Sequence, residues 1–153
     1  MQELDEIDRK ILRAYQKNPE ITMEKLGAVV GLSHTPCWRR VRKLHDDGVI
    51  LGTHLRLNRE VVGLALVVLV QLRLSRHDEE TLAAFEKAVQ RQPEILDCYS
   101  MAGDHDYSLK IVCADTLAYE QLLKRTLLHL PGVASVNSHV ALKEIKSAAL
   151  LPI

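Results

Sequence analysis

Aromatic side chains are scarce, with one Trp, one Phe and four Tyr in 153 residues. That is too few for a platform on which single-stranded bases stack. The three cysteines, Cys37, Cys98 and Cys113, form no C-x-x-C pair, and an odd number cannot all pair with one another. Each sits in an apolar pattern, so the expectation is three reduced, buried thiols acting as small hydrophobes. The opening MQELDEIDRK is acidic and no apolar stretch follows it, so a secretory leader is not expected and a cytoplasmic location is. The longest apolar run, Val61 to Val70, is about half of what a membrane-spanning helix needs. No membrane partner is therefore expected. There is no G-x-S-x-G, no phosphate-binding loop, no H-E-x-x-H and no G-x-G-x-x-G, so nothing supports an enzyme or a cofactor. The histidines are scattered singly. His105 lies between Asp104 and Asp106, but side chains adjacent in sequence rarely converge on one ion, so no metal site is expected.

Net charge is absent as well: 20 Lys and Arg stand against 20 Asp and Glu. Neutrality argues against nucleic acid only if the charge is evenly spread, and it is not. Residues 1–60 carry 11 basic and 9 acidic side chains, and residues 61–153 carry 9 and 11. With 47% hydrophobic and 26% charged residues the chain is of ordinary globular composition. Its length suits one domain or two small ones.

Residues 1–48 read as three short helices. Asp5 can cap the first, whose apolar stripe is Ile7, Ile11, Leu12 and Tyr15, and Asn18-Pro19 ends it. Thr22 can cap the second, with Leu26, Val29 and Val30 inward and Gly31 as its stop. Ser33 can cap the third, Pro36 lies in its first turn and Gly48 follows it. Only about three residues around Gly31-Leu32 join the second and third helices, the signature of a helix-turn-helix. On the third helix Cys37, Val41 and Leu44 make a buried stripe at i, i+4, i+7. His34, Thr35, Trp38, Arg39 and Arg42 lie mostly on the opposite side. Residues 33–45 hold four cations, Arg39, Arg40, Arg42 and Lys43, and no anion. Four cations alone read as a solvated face. In helix-turn-helix spacing they read as a surface for phosphates and guanine edges, with Ser33 and Thr35 able to donate to phosphate. Trp38 can pack on the helix pair or lean on DNA; its position does not decide.

From Val49 to Leu57 apolar and polar residues alternate, which suits a strand or wing, and Asn58–Gly63 is a plausible hinge. The domains are therefore expected at 1–60 and 61–153. Residues 64–147 contain a weak repeat. An apolar strand (Leu64–Leu74) leads to an acidic helix start (Asp78), a helix to Gln92, Pro93 and a strand at Ile95–Met101. Then come a strand at Tyr107–Cys113, a helix from Asp115 to Leu130, Pro131-Gly132 and a strand from Ala134 to about Ile145. Strand-helix-strand twice over is βαββαβ, the ferredoxin-like unit. The fold class is thus α+β, a winged helix-turn-helix followed by a ferredoxin-like domain. Helices cover one sheet face only, so a second copy of the sheet is the natural cover for the other.

The stretch Met101-Ala102-Gly103-Asp104-His105-Asp106-Tyr107 joins the two middle strands. Gly103 permits φ > 0 or a close backbone approach. Asp104 and Asp106 could hold an α-ammonium group while loop N–H groups take a carboxylate. A plain hairpin turn uses the same residue types.

Taken together, the chain resembles the Lrp/AsnC family of bacterial and archaeal transcriptional regulators over essentially its whole length. The resemblance rests on Leu4-Asp5-Glu6-Ile7-Asp8-Arg9-Lys10-Ile11-Leu12, on Gly31-Leu32-Ser33 through Cys37, and on Arg40-Val41, Leu44 and Gly48-Val49-Ile50. It rests also on Gly103-Asp104-His105-Asp106-Tyr107 and Pro131-Gly132-Val133. It implies a regulator that binds double-stranded DNA through Ser33, His34, Thr35, Trp38, Arg39, Arg40 and Arg42. It implies homodimers formed through the sheets, assembling into tetramers, octamers or higher rings. It implies an amino-acid effector held by Tyr99, Met101, Ala102, Gly103, Asp104, Asp106 and Tyr107, with Asn137 or Ser138 from a neighbour. Thr35–Arg40, Met101–Gly103 and the stretch from Ser147 to Ile153 are most similar to a cysteine-responsive branch concerned with sulfur compounds. The apolar stretch Ala148–Ile153 is expected to pack on another subunit. The rival reading is an amino-acid-binding assembly module without sequence-specific DNA binding.

Overall fold

The computed structural model describes residues 4–147 and 150–153. The chain divides into two compact units, Met1–Arg56 with Lys146–Ile153, and Leu57–Ile145. The division falls earlier than the expected 60/61 boundary, and the final stretch joins the first unit rather than the second.

In the first unit Asp5 accepts from the Asp8 N–H at 2.8 Å and starts α1 (Glu6–Lys17). Thr22 accepts from the Lys25 N–H at 3.3 Å and starts α2 (Met23–Val30). Both are N-cap geometries that satisfy donors the first helical turn leaves open. Ser33 sits at the N-cap of α3 (His34–Asp46) with extended backbone, but its hydroxyl makes no capping bond. That hydroxyl is thus left available to another acceptor or donor.

Between α2 and α3, Gly31 adopts φ 77°, a left-handed conformation that costs glycine little. Its N–H and that of Leu32 both donate to the Gly27 carbonyl, closing the turn. Ile11, Leu12, Leu26, Val30, Cys37, Val41 and Leu44 form the core, fringed by Leu4, Tyr15, Met23 and Ile50.

No strand forms at the alternating stretch Val49–Leu57. The N–H groups of Val49 and Ile50 donate to the Leu44 carbonyl at 2.9 and 3.0 Å. Beyond them the chain has no ladder partner among the described residues, and Leu51, Leu55 and Leu57 are exposed. Alternation marks a segment suited to pairing, but a strand exists only when a second strand takes its N–H and C=O groups.

The second unit carries β1 (Leu66–Leu74), α4 (Glu79–Val89), β2 (Ile95–Ser100), β3 (Tyr107–Cys113), α5 (Thr116–Arg125), a 3₁₀ turn (Leu127–His129) and β4 (Val133–Val140). The strands form one antiparallel sheet in the order β2-β3-β1-β4, which is the ferredoxin-like arrangement. The last strand ends at Val140 and not near Ile145; its ladder on β1 closes with the Ala141 N–H donating to the Val67 carbonyl at 2.9 Å, one residue from the start of β1. Val68, Val70 and Leu72 face Ile111, Leu109 and Tyr107 across the β1–β3 ladder. They bury one sheet face against Phe85, Val89, Tyr119, Leu127 and Leu130. The register places Val67, Leu69, Gln71, Lys110 and Tyr99 on the other face, where Leu69 and Tyr99 are exposed. Cys37 and Cys113 are buried as expected, but Cys98 is exposed. It lies on the edge strand β2, where helix cover runs out.

Gly27 decides how closely α2 approaches the turn. A Cβ built on it would lie 2.6 Å from the Leu32 carbonyl oxygen, a backbone atom with little room to yield. Gly→Ala inside a helix normally stabilises by about 1 kcal/mol. Here the sign reverses: Gly27→Ala is expected to destabilise the first unit by about 1–3 kcal/mol through overpacking. Chemical denaturation of the variant checks this, and a midpoint equal to or above that of the parent contradicts it.

Candidate DNA-facing helix and effector loop

α3 can bury only one stripe, and Cys37, Val41 and Leu44 are that stripe. The consequence is that Ser33, His34, Thr35, Trp38, Arg39 and Arg42 are all exposed. Trp38 is 43% exposed and is not part of the core. The Arg42 guanidinium lies 5.2 Å from the Trp38 ring centroid. A cation over an indole face is attracted by the ring quadrupole, so the two side chains order one another. Arg42 also lies 3.9 Å from Asp46 one turn on, a contact between two exposed groups that adds little.

Arg40 is turned away from this surface. Its Nη1 donates to Asp5 Oδ2 at 2.6 Å and to Asp8 Oδ1 at 2.7 Å. The Asp8 N–H, and after it Arg40, hold the Asp5 carboxyl below the usual carboxylate range. Hydrogen bonds to Asp5 and Asp8 hold the Arg40 guanidinium above its own ordinary value. Asp5 and Arg40 are therefore both charged at neutral pH. Arg40, expected at the DNA surface, instead ties α3 to the first turn of α1. The spacing of Asp5 and Asp8 could have signalled this, since residues three apart share a helix face.

In the second unit the connection between β2 and β3 is a braced loop. The Met101 N–H donates to the Asp106 carbonyl at 2.8 Å and the Asp106 N–H to the Leu72 carbonyl at 2.9 Å. The Asp106 carboxylate accepts from the Leu74 N–H at 2.7 Å, and its other oxygen lies 2.8 Å from His77 Nε2. The Leu74 N–H, then the His77 ring, holds the Asp106 carboxyl below the usual range. Arg73 Nε donates to the Asp104 carbonyl. Asp106 is thus committed to holding the loop on the end of β1 and is not free to take an ammonium group. Arg73 and His77, which sequence reasoning did not single out, are the other braces.

What the loop leaves open is more specific than its sequence suggested. Gly103 has φ 132°, a conformation that favours glycine. The backbone N–H groups of residues 102–105 have no partner among the described residues, and neither does the exposed Asp104 carboxylate. Free donors next to a free carboxylate complement a zwitterion. Tyr99, Met101, Ala102 and Gly103 are exposed around them. Tyr107 is not: its ring packs on Phe85 at 4.4 Å between centroids and its hydroxyl donates to Glu86 Oε1 at 3.2 Å. Burial, with Glu86 beside it, pushes the Tyr107 phenol up to about 12. Ser138 lies on the helix-covered face, 2.6 Å from the Tyr119 hydroxyl, whereas Asn137 is on the open face.

The bracing by Asp106 has a defined pH dependence. A carboxyl whose folded pKa is depressed contributes its full stabilisation above the ordinary Asp value, about 3.9. That contribution fades as pH falls through the depressed value. The Leu74 amide resonance is expected to titrate with a midpoint below the ordinary value, and a midpoint at or above it contradicts the brace.

The sequence pattern of a winged helix-turn-helix DNA-binding domain matches residues 4–50, and that of the Lrp/AsnC ligand binding domain matches residues 67–151. The chain is 36% identical over 150 residues to the DNA-binding transcriptional activator DecR of Escherichia coli K12, covering 98% of this chain and 99% of that protein. It is 41% identical over 151 residues to the leucine-responsive regulatory protein of the same organism, covering 99% and 92%. Among solved structures, a transcriptional regulator from Neisseria meningitidis in complex with L-Met superposes with a TM-score of 0.92 at 34% identity, covering 98% and 97%. A helix-turn-helix with an outward basic face, a ferredoxin-like unit and these matches agree: the chain belongs to the Lrp/AsnC family of transcriptional regulators.

Proposed function

We propose that this regulator reads DNA through Ser33, His34, Thr35, Trp38, Arg39 and Arg42, with Arg40 as a brace behind them. The observation that carries this reading is the single buried stripe of α3, which leaves an exposed face without an acid between residues 33 and 45. A two-fold dimer would present two such helices to major grooves about 34 Å apart or a multiple of it. The open sheet face, with exposed Leu69 and Tyr99, supports dimerisation there, and tetramers, octamers or higher assemblies would build on that dimer. The effector is an amino acid. Its carboxylate would meet the loop N–H groups of residues 102–105 and its ammonium group Asp104, with Tyr99, Met101, Ala102 and Gly103 around it. Asp106 and Tyr107 support the loop from behind.

Regulated genes would belong to amino-acid metabolism, with sulfur compounds the branch favoured by the sequence. No helix among the described residues is long and apolar enough to cross a membrane. A DNA-binding regulator of this kind would act in the cytoplasm.

Arg39→Ala with Arg42→Ala is expected to lower operator affinity at least about tenfold, since a good base contact contributes roughly 1–3 kcal/mol. The oligomer should be unchanged by sedimentation. Unchanged affinity in a gel shift overturns the assignment. In a thermal-shift series with L-cysteine, L-leucine and L-methionine, at least one is expected to raise the midpoint of the parent. Asp104→Ala should abolish that rise while keeping DNA binding; a retained rise removes Asp104 from the site.

A further inference from the structure

Residues 150–153 dock on α1 of the same chain. The Gln16 amide makes a reciprocal pair with the backbone of Leu151: the Leu151 N–H donates to Oε1 at 3.0 Å and Nε2 donates to the Leu151 carbonyl at 2.9 Å. Arg13 Nε donates to the Ile153 carbonyl at 2.5 Å, and Arg13 Nη1 is itself held by Glu6 at 3.2 Å. The Ile153 N–H donates to the Leu151 carbonyl at 3.0 Å, a three-residue turn with Pro152 at its centre. Proline's fixed φ suits the middle of an inverse γ-turn, so this turn is set before docking. The turn delivers the Ile153 side chain to the core formed by Ile11, Leu26 and Val41. The Leu151 side chain points away and is 68% exposed. Recognition is therefore by backbone at 151 and by side chain at 153.

This differs from the expected role of Ala148–Ile153 as a contact with another subunit; Ala148 and Ala149 lie outside the described residues. The chain enters the first unit twice, through the segment before Leu57 and again from Lys146. We infer that residues 150–153 are a strap that completes the first unit, supplied by the stretch of chain that follows the second. The strap contacts α1, and α1 holds α3 through Asp5, Asp8 and Arg40. The occupant of the α1 surface is this segment of the same chain.

Hydrogen exchange of the full-length protein tests the strap without DNA. Gln16→Ala and Ile153→Asp are each expected to speed exchange of the α1 amides by about fivefold, the factor for about 1 kcal/mol. Exchange in β3 should be unchanged. Leu151→Ala should leave α1 as in the parent, while Leu151→Pro, which removes the N–H donor, should match Gln16→Ala. Parent-like α1 exchange in Ile153→Asp and Gln16→Ala overturns the strap. Parent α1 exchange that speeds on dilution towards that of the variants overturns the same-chain form and assigns the segment to a second copy. The regulatory part rests on the DNA-binding reading: Ile153→Asp should also weaken operator binding. If the parent itself binds no operator, that reading fails while the exchange result still decides the strap.

Discussion

A thirteen-residue helix packed on two shorter ones can bury one stripe, and burying that stripe orients everything else on it. Cys37, Val41 and Leu44 go inward against Leu26, Val30 and Ile11. Arg39, Arg42 and Trp38 are then outward by the geometry of 3.6 residues per turn. Orientation alone would leave α3 free to slide along α1 on an apolar contact that has no direction. The Arg40 guanidinium between Asp5 and Asp8 supplies the direction, because its hydrogen bonds are short and angle-dependent. The close approach at Gly27 fixes the other side of α3 by setting where Leu32 leaves the turn. A chain of zero net charge can carry a DNA-facing surface because its cations are concentrated on one helix and the neighbouring acids are used as braces.

The second unit obeys the same one-sidedness at larger scale. Two helices cover one face of a four-stranded sheet, and the loop between β2 and β3 emerges at the end of the sheet next to the end of β1. A loop there would be floppy if nothing tied it down. Asp106 and Arg73 tie it to β1 and to His77, and the untied groups are the four N–H donors and the Asp104 carboxylate. Rigid backing with unsatisfied polar groups in front is what a small zwitterion needs, since the loop need not be ordered on binding.

Much of this was legible in the sequence because it is local. Caps at Asp5 and Thr22, the Gly31 stop, the α3 stripe and the two strand-helix-strand halves are patterns read within ten or fifteen residues. What was not legible depended on partners far along the chain. Arg40 looked like a DNA contact until its partners 35 and 32 residues away were in place. Asp106 and Tyr107 looked like ligand groups, and His77 and Phe85 claim them. Val49–Leu57 has strand alternation but no partner strand. Gln16 and Leu151, 135 residues apart, meet through a reciprocal pair of hydrogen bonds that no local pattern announces.

The sequence by itself determined the helix-turn-helix, the βαββαβ order, the basic face of α3 and the position of the loop between β2 and β3, because capping and periodicity act between near neighbours. Only the tertiary structure decided which charges are spent inside the protein and which remain for a ligand, and which unit the last residues join. The physical reason is that a charged side chain's role is set by the polar groups nearest to it in space, and here those groups lie about 30 residues or more along the chain.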